Sequence, residues 1–185
     1  MKISKLEQQV KDCQKCELYK SRNNIVLGGG EVKSKIMLVG EAPGAEEDRQ
    51  GKVFVGASGK LLDKMLSSIG LDRSKVYITN ILKCRPPSNR NPRASEKDAC
   101  IEHLREQYRI IQPKIIVLLG GIACKAILEK DFSLMRSHGE VTERKGTYFI
   151  PTFHPSALLR NANLKPLAYQ DLKILRDLIA KENIL

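Results

Sequence analysis

The chain has 185 residues, 42% of them hydrophobic, with 32 Lys and Arg against 21 Asp and Glu for a formal net charge of +11. That length suits one domain, residues 1–185, burying roughly two-thirds of its unfolded surface, and no apolar run nears the ~20 residues of a membrane span, which excludes a helical membrane protein and points to the cytoplasm. The charge excess favours a polyanionic partner, although a lysine-rich solvated surface produces the same excess.

MKISKLEQQVKDC opens the chain with apolar residues at helical spacing. Cys13 and Cys16 follow as CxxC, and Cys84 and Cys100 lie far downstream. No secretion signal is read, so a disulfide framework is not expected and the four cysteines suggest a metal, against the alternative of a redox pair or a chance spacing. Zinc and an iron-sulfur cluster both accept four thiolates, and spacing does not choose between them. The fifth cysteine, Cys124 in GGIACKAIL, reads as an inert core thiol.

KIMLVG (35–40) is predicted as a strand, and GEAPG (40–44) follows it with an acid, Glu41, on a glycine-rich turn ill suited to phosphate. In SGKLLDKMLSSIG the residues Leu61, Leu62, Met65, Leu66 and Ile69 mark a helix that stops at Gly70. VYITNIL (76–82) is a second strand with Asn80 late in it, and the basic loop KCRPPSNRNPR (83–93) carries Lys83, Arg85, Arg90 and Arg93 without an acid. Ser95 is placed to cap a helix running to Ile111, which Pro113 ends. KIIVLLG (114–120) is a third strand, a helix follows Gly121, and TYFIPTF (147–153) is a fourth strand leading into HPSALLR (154–160). PLAYQDLKILRDLIAKENIL closes the chain as an amphipathic helix with Pro166 in its first turn.

Strands alternating with helices imply a mostly parallel sheet covered on both faces, with ligands bound outside the carboxyl ends of the strands. GEAPG, Asn80 and HPSALLR all fall at such ends. Each has a plainer reading by itself: an Asn at a strand end forms turns, a His before Pro is a turn residue, Glu46, Glu47 and Asp48 suit a solvated acidic turn, and a basic proline-rich loop suits an exposed linker.

Taken together, GEAPGAEEDRQGKVFVGASGKLL, the early CxxC, TNILKCRPPSNRNP and HPSALLR resemble the family 4 uracil-DNA glycosylases, the iron-sulfur class of thermophilic archaea and bacteria, in order and over nearly the whole chain. The resemblance implies an α/β three-layer sandwich on a central four-stranded, mainly parallel sheet. It implies hydrolytic removal of uracil from DNA, a [4Fe-4S] cluster on Cys13, Cys16, Cys84 and Cys100, and turnover to an abasic site without a covalent adduct. Uracil would be held by backbone groups of Glu41 and Ala42, stacked on Phe54, read by Asn80 and polarised at O2 by His154. Glu47 matches the position expected to exclude a thymine methyl. Glu41 would orient water or offset positive charge on the sugar, since Ala42 stands where another glycosylase family carries an aspartate. DNA contacts are expected from Arg85, Asn89, Arg90, Ser156 and Arg160, with Leu158 or Leu159 wedging into the vacated stack.

The sequence departs from the family pattern at Val53, Ser58 and Ser137 without losing a chemical group that these roles need. The expected partner is uracil-containing DNA, single- or double-stranded, bound by a monomer; a sliding clamp is a further candidate with no clear motif in the chain. Two other readings remain at this level: a relative with a wider pocket for other deaminated bases, and a metal-stabilised module that binds lesions without cleaving.

Overall fold

The computed structural model describes residues 2–185. In chain order it comprises helix α1 (Ile3–Val10), strand β1 (Gly29–Gly30), β2 (Ile36–Gly40), α2 (Ala45–Gln50), α3 (Ala57–Ser67), β3 (Tyr77–Asn80), α4 (Ala94–Ile111), β4 (Ile115–Leu119), α5 (Gly121–Ile127), α6 (Leu134–Ser137), β5 (Thr142–Arg144), β6 (Thr147–Thr152), α7 (Pro155–Arg160) and α8 (Lys165–Lys181). Short 3-10 turns at Glu17–Lys20, Pro87–Asn89 and Ala162–Leu164 link them.

Every residue of β2, β3 and β4 is buried, because helices cover both faces of the sheet and leave no solvent side for polar alternation. Alternate residues serve opposite layers. Ile36, Leu38, Ile78, Val117 and Ile150 pack with Leu62 and Leu66 of α3 and with Leu172 and Leu175 of α8. Met37, Val39, Tyr77, Ile116 and Leu118 pack with Leu104 and Ile111 of α4 and with Ala123 and Cys124 of α5. The three-layer sandwich follows directly from this division. Buried Gln107 of α4 ties the second layer to the sheet, donating to Leu27 O at 2.9 Å and to Tyr77 Oη at 2.9 Å.

The expectation of four strands is corrected to six, in the order β1-β3-β2-β4-β6-β5. The central four, β3, β2, β4 and β6, are parallel as expected. The two additions are antiparallel edge strands, β1 against β3 and β5 against β6. With only two and three residues, they are too short to leave a periodic signal. Ser95 is also corrected: Glu96 of α4 accepts the N–H of Arg93 at 2.8 Å, so Arg93 is the capping position and Ser95 lies inside the first turn.

The start of α3 lies against the loop that carries Phe54. A Cβ on Gly59 would collide with the backbone carbonyl of Phe54, so only glycine allows the helix this close. Gly59→Ala is expected to destabilise the protein by about 2 kcal/mol or more, as overpacking against backbone does, read from the shift of its urea unfolding midpoint at unchanged slope.

Candidate active site

A cleft of roughly 1530 Å³, counting its open mouth, lies at the carboxyl ends of the central strands. Its lining includes Glu41, Ala42, Glu47, Phe54, Asn80 and His154, so the three stretches that the sequence singles out do meet. Parallel pairing sets Gly40 beside Asn80 in register, and the chain leaves β2 at Glu41 directly into the cleft.

Asn80 is buried to 1% exposure, and its Oδ1 is the one buried side-chain polar atom among the described residues without a hydrogen-bond partner. An orphaned buried acceptor costs about 1–3 kcal/mol, and its place in a cleft lining suits a ligand donor. Gly40 makes room for it: a Cβ there would collide with Asn80 Oδ1 and come within 2.9 Å of the Phe54 ring. Phe54 itself has φ 51°, in the left-handed region, at a cost of about 1–3 kcal/mol for a bulky side chain.

His154 caps α7. Its Nδ1 accepts the backbone N–H of Ser156 at 3.1 Å and lies 2.8 Å from Ser156 Oγ. Because a backbone N–H can only donate, Nδ1 carries the lone pair, and the neutral ring holds its proton on Nε2. Burial, with a smaller contribution from Arg160, lowers the imidazole to about 4, while Glu47 opposes the shift. The strand before it is pinned from α8: Thr152 donates to Asp171 Oδ2 at 2.6 Å, and His138 Nδ1 lies 2.8 Å from Asp171 Oδ1.

Glu41 is half-buried, and burial raises its carboxyl above the usual range against the pull of Arg160 and Lys97. Glu47 is tied to backbone: Oε1 accepts the N–H of Val55 and of Gly56, each at 2.8 Å, and Oε2 that of Gly44 at 3.2 Å. It presents a rigid wall to the cleft and not a free carboxylate. Of the neighbouring acids, Glu46 is exposed and paired with Arg49, whereas Asp48 is buried and accepts from Asn23 and Asn24. The solvated acidic turn therefore reduces to Glu46.

Several surface assignments change. Leu158 is 2% exposed in the core, whereas Leu159 is 50% exposed, so any wedge falls to Leu159. Lys83 is 1% exposed and faces inward, donating to Thr79 Oγ1 at 2.8 Å and to Asn80 O at 2.5 Å, so it does not belong to the basic face of its loop. Arg90 forms a paired contact with buried Glu96 at 2.9 and 2.5 Å yet lines the cleft together with Asn89, whose Oδ1 accepts from Arg85 at 2.8 Å. Lys125 on the cleft rim was missed by sequence reasoning, and its only signal was a position just after the third strand.

Cys13, Cys16, Cys84 and Cys100 line a second, small cavity of about 20 Å³ together with Lys83, His103 and Arg22. All are free thiols. Among the described residues no three acidic, His or Cys side chains converge closely enough for a single metal ion. Four thiolates are a donor set that zinc and an iron-sulfur cluster both accept. Arg22 Nη1 donates to Cys84 Sγ at 3.3 Å and to Cys13 O at 2.8 Å, and His103 Nε2 lies 3.4 Å from Cys13 Sγ; burial outweighs Arg22 and pushes the Cys84 thiol up to about 11. Cys124 is buried in the core, which pushes its thiol up to about 12.

The model of the Uracil DNA glycosylase superfamily matches residues 27–178. The chain is similar to the Type-4 uracil-DNA glycosylase of Sulfurisphaera tokodaii, at 43% identity over 95% of this chain and 84% of that protein. It is similar to those of Pyrobaculum aerophilum, at 42% over 93% and 92%, and Archaeoglobus fulgidus, at 41% over 97% and 94%.

The lowered basicity of His154 is open to direct measurement. Its ring ¹⁵N signals are expected to show a neutral Nε2–H tautomer from pH 7.5 to 5.5, with no titration near 6.5; a protonated ring in that range would contradict the burial argument.

Proposed function

The chain belongs to the uracil-DNA glycosylase superfamily and excises uracil from DNA as a base-excision-repair hydrolase, and on that premise we propose how its residues carry the reaction. An N-glycosidic bond inside a duplex is shielded by stacking, so the nucleotide turns out into the cleft. Phe54 supplies the stacking face. Asn80 reads the base edge, its Oδ1 accepting N3–H and its amide donating to O4; cytosine presents the opposite polarity at both positions. The observation that carries this reading is the buried, unpartnered Asn80 Oδ1 in the cleft wall.

As the bond from C1′ to N1 breaks, its electron pair passes to uracil and charge gathers at O2. His154, with its proton on Nε2, donates to that oxygen, and the interaction strengthens as the charge develops. Water adds to the electron-poor C1′ and gives its proton to Glu41, whose raised basicity suits that task. Glu41 then returns the proton to solvent and the uracil anion takes one up, so that the products are uracil and an abasic sugar. Glu47 narrows the pocket as a fixed wall, Arg160, Lys125 and Arg90 form a basic rim for phosphates, and Leu159 enters the vacated stack.

Cys13, Cys16, Cys84 and Cys100 would hold a [4Fe-4S] cluster, which when bound supplies four covalent tethers between the N-terminal segment, the loop after β3 and helix α4. Arg22 places a positive group beside the sulfurs, whereas burial lowers the Lys83 amine to about 7. The reading takes residues 1–185 as one domain acting as a monomer on uracil-containing DNA.

Uracil release from oligonucleotides is expected to fall about 10²- to 10³-fold in His154→Ala, as for loss of a transition-state donor, and by about a hundredfold or more in Asn80→Ala. Burial raises Glu41, so kcat/KM falls with pH as this carboxylate gains its proton, above the point near 4 where His154 becomes charged. Glu41→Gln is expected to be slow and to lack that acid limb; a limb that persists there would remove Glu41 as the base.

Protein purified without oxygen is expected to be brown, with broad visible absorbance and about four iron atoms per chain. Colourless protein with about one zinc per chain would overturn the cluster assignment.

A further inference from the structure

Phe54 holds a backbone conformation that a bulky side chain rarely adopts, with φ 51°, and opposite charges grip the peptides on its two sides. On one side Glu47 accepts the N–H groups of Val55 and Gly56. On the other, Arg73 donates from Nη1 to Val53 O at 3.0 Å and from Nη2 to Phe54 O. The guanidinium is itself held, with Nε donating to Asp63 Oδ1 of α3 at 2.7 Å.

Arg73 lies in the connection from α3 to β3, outside the cleft lining, and touches none of the reacting groups. A planar fork that spans two carbonyls and a carboxylate at once is a geometry that lysine cannot copy. If either grip were released, the Phe54 peptide would relax toward an ordinary φ, and the ring would leave its place over Gly40 and 5.6 Å from the His154 ring.

We propose that Arg73 is a positioning residue for base recognition: by holding the Val53 and Phe54 carbonyls it keeps the Phe54 ring presented as a stacking surface before DNA arrives. Rigidity fixed in advance lowers the ordering cost at binding, so the residue acts on substrate capture more than on bond cleavage. The inference rests on the stacking role given to Phe54.

The test is a double-mutant cycle on uracil excision with Arg73→Met, Phe54→Ala and the pair. Phe54→Ala is expected to lower kcat/KM about ten- to a hundredfold, the range for loss of base–aromatic stacking. Arg73→Met is expected to lower it about five- to tenfold, mainly through KM, with kcat nearly kept. In the Phe54→Ala background Arg73→Met should add little, and Arg73→Lys should restore less than half of the lost activity. In His154→Ala protein, Arg73→Met should weaken binding to uracil-containing DNA but leave binding to abasic DNA unchanged, since the latter offers no base to stack. General destabilisation would lower both and would add to the Phe54→Ala defect. An unimpaired Phe54→Ala protein would overturn the stacking role and the inference with it. An impaired Phe54→Ala with an unimpaired or fully additive Arg73→Met would overturn the inference alone.

Discussion

The register that sets Gly40 of β2 beside Asn80 of β3 is the constraint on which the rest of the cleft depends. Both residues sit at the carboxyl ends of fully buried parallel strands, where the ladder stops and backbone and side chains turn outward. Because Gly40 lacks a side chain, the Asn80 amide and the Phe54 ring can occupy one small volume. A slip of one residue would turn Asn80 toward the opposite layer and bring Thr79 or Ile81 to the cleft instead. The hydrophobic packing of the two layers resists that slip, so core energetics hold a polar reader in place.

Burial shapes the polar groups of the cleft, and Asn80 Oδ1 alone among the buried side-chain polar atoms of the described residues is left without a partner. Its neighbours at the cleft wall, Gly40 and the Phe54 ring, offer no side-chain donor. His154 stays neutral because burial and a nearby arginine oppose a second proton, while a backbone N–H fixes which nitrogen keeps the first. Glu41 is made more basic by the same burial. Folding carries these costs, and the strained Phe54 backbone adds to them, so neighbouring groups such as Glu47, Arg73 and Asp171 are committed to holding loops and strand ends.

The cysteine cavity and the cleft share one short segment. Asn80 ends β3, Lys83 reaches back to its carbonyl, and Cys84 follows in the wall of the cysteine cavity. Four thiols drawn from the N-terminal segment, this loop and α4 make that wall. Lys83 thereby joins the wall of the cysteine cavity to the backbone of Asn80.

Local patterns decided a good deal. Periodicity and turn residues were enough to place the four parallel strands, the helices between them and the convergence of GEAPG, Asn80 and HPSALLR, because strand and helix signals lie within windows of a few residues. The resemblance carried by those motifs named Glu41, Asn80, His154 and the four cysteines. Edge strands of two and three residues left no such signal, and Leu158 and Leu159 are interchangeable until packing buries one and exposes the other. The inward turn of Lys83, the pairing of Arg90 with Glu96, the backbone tethers of Glu47 and the grip of Arg73 on a carbonyl 19 residues away belong to the tertiary structure alone. A charged side chain reads the same in any sequence window; only the folded chain decides whether water, a carboxylate or a backbone group meets it.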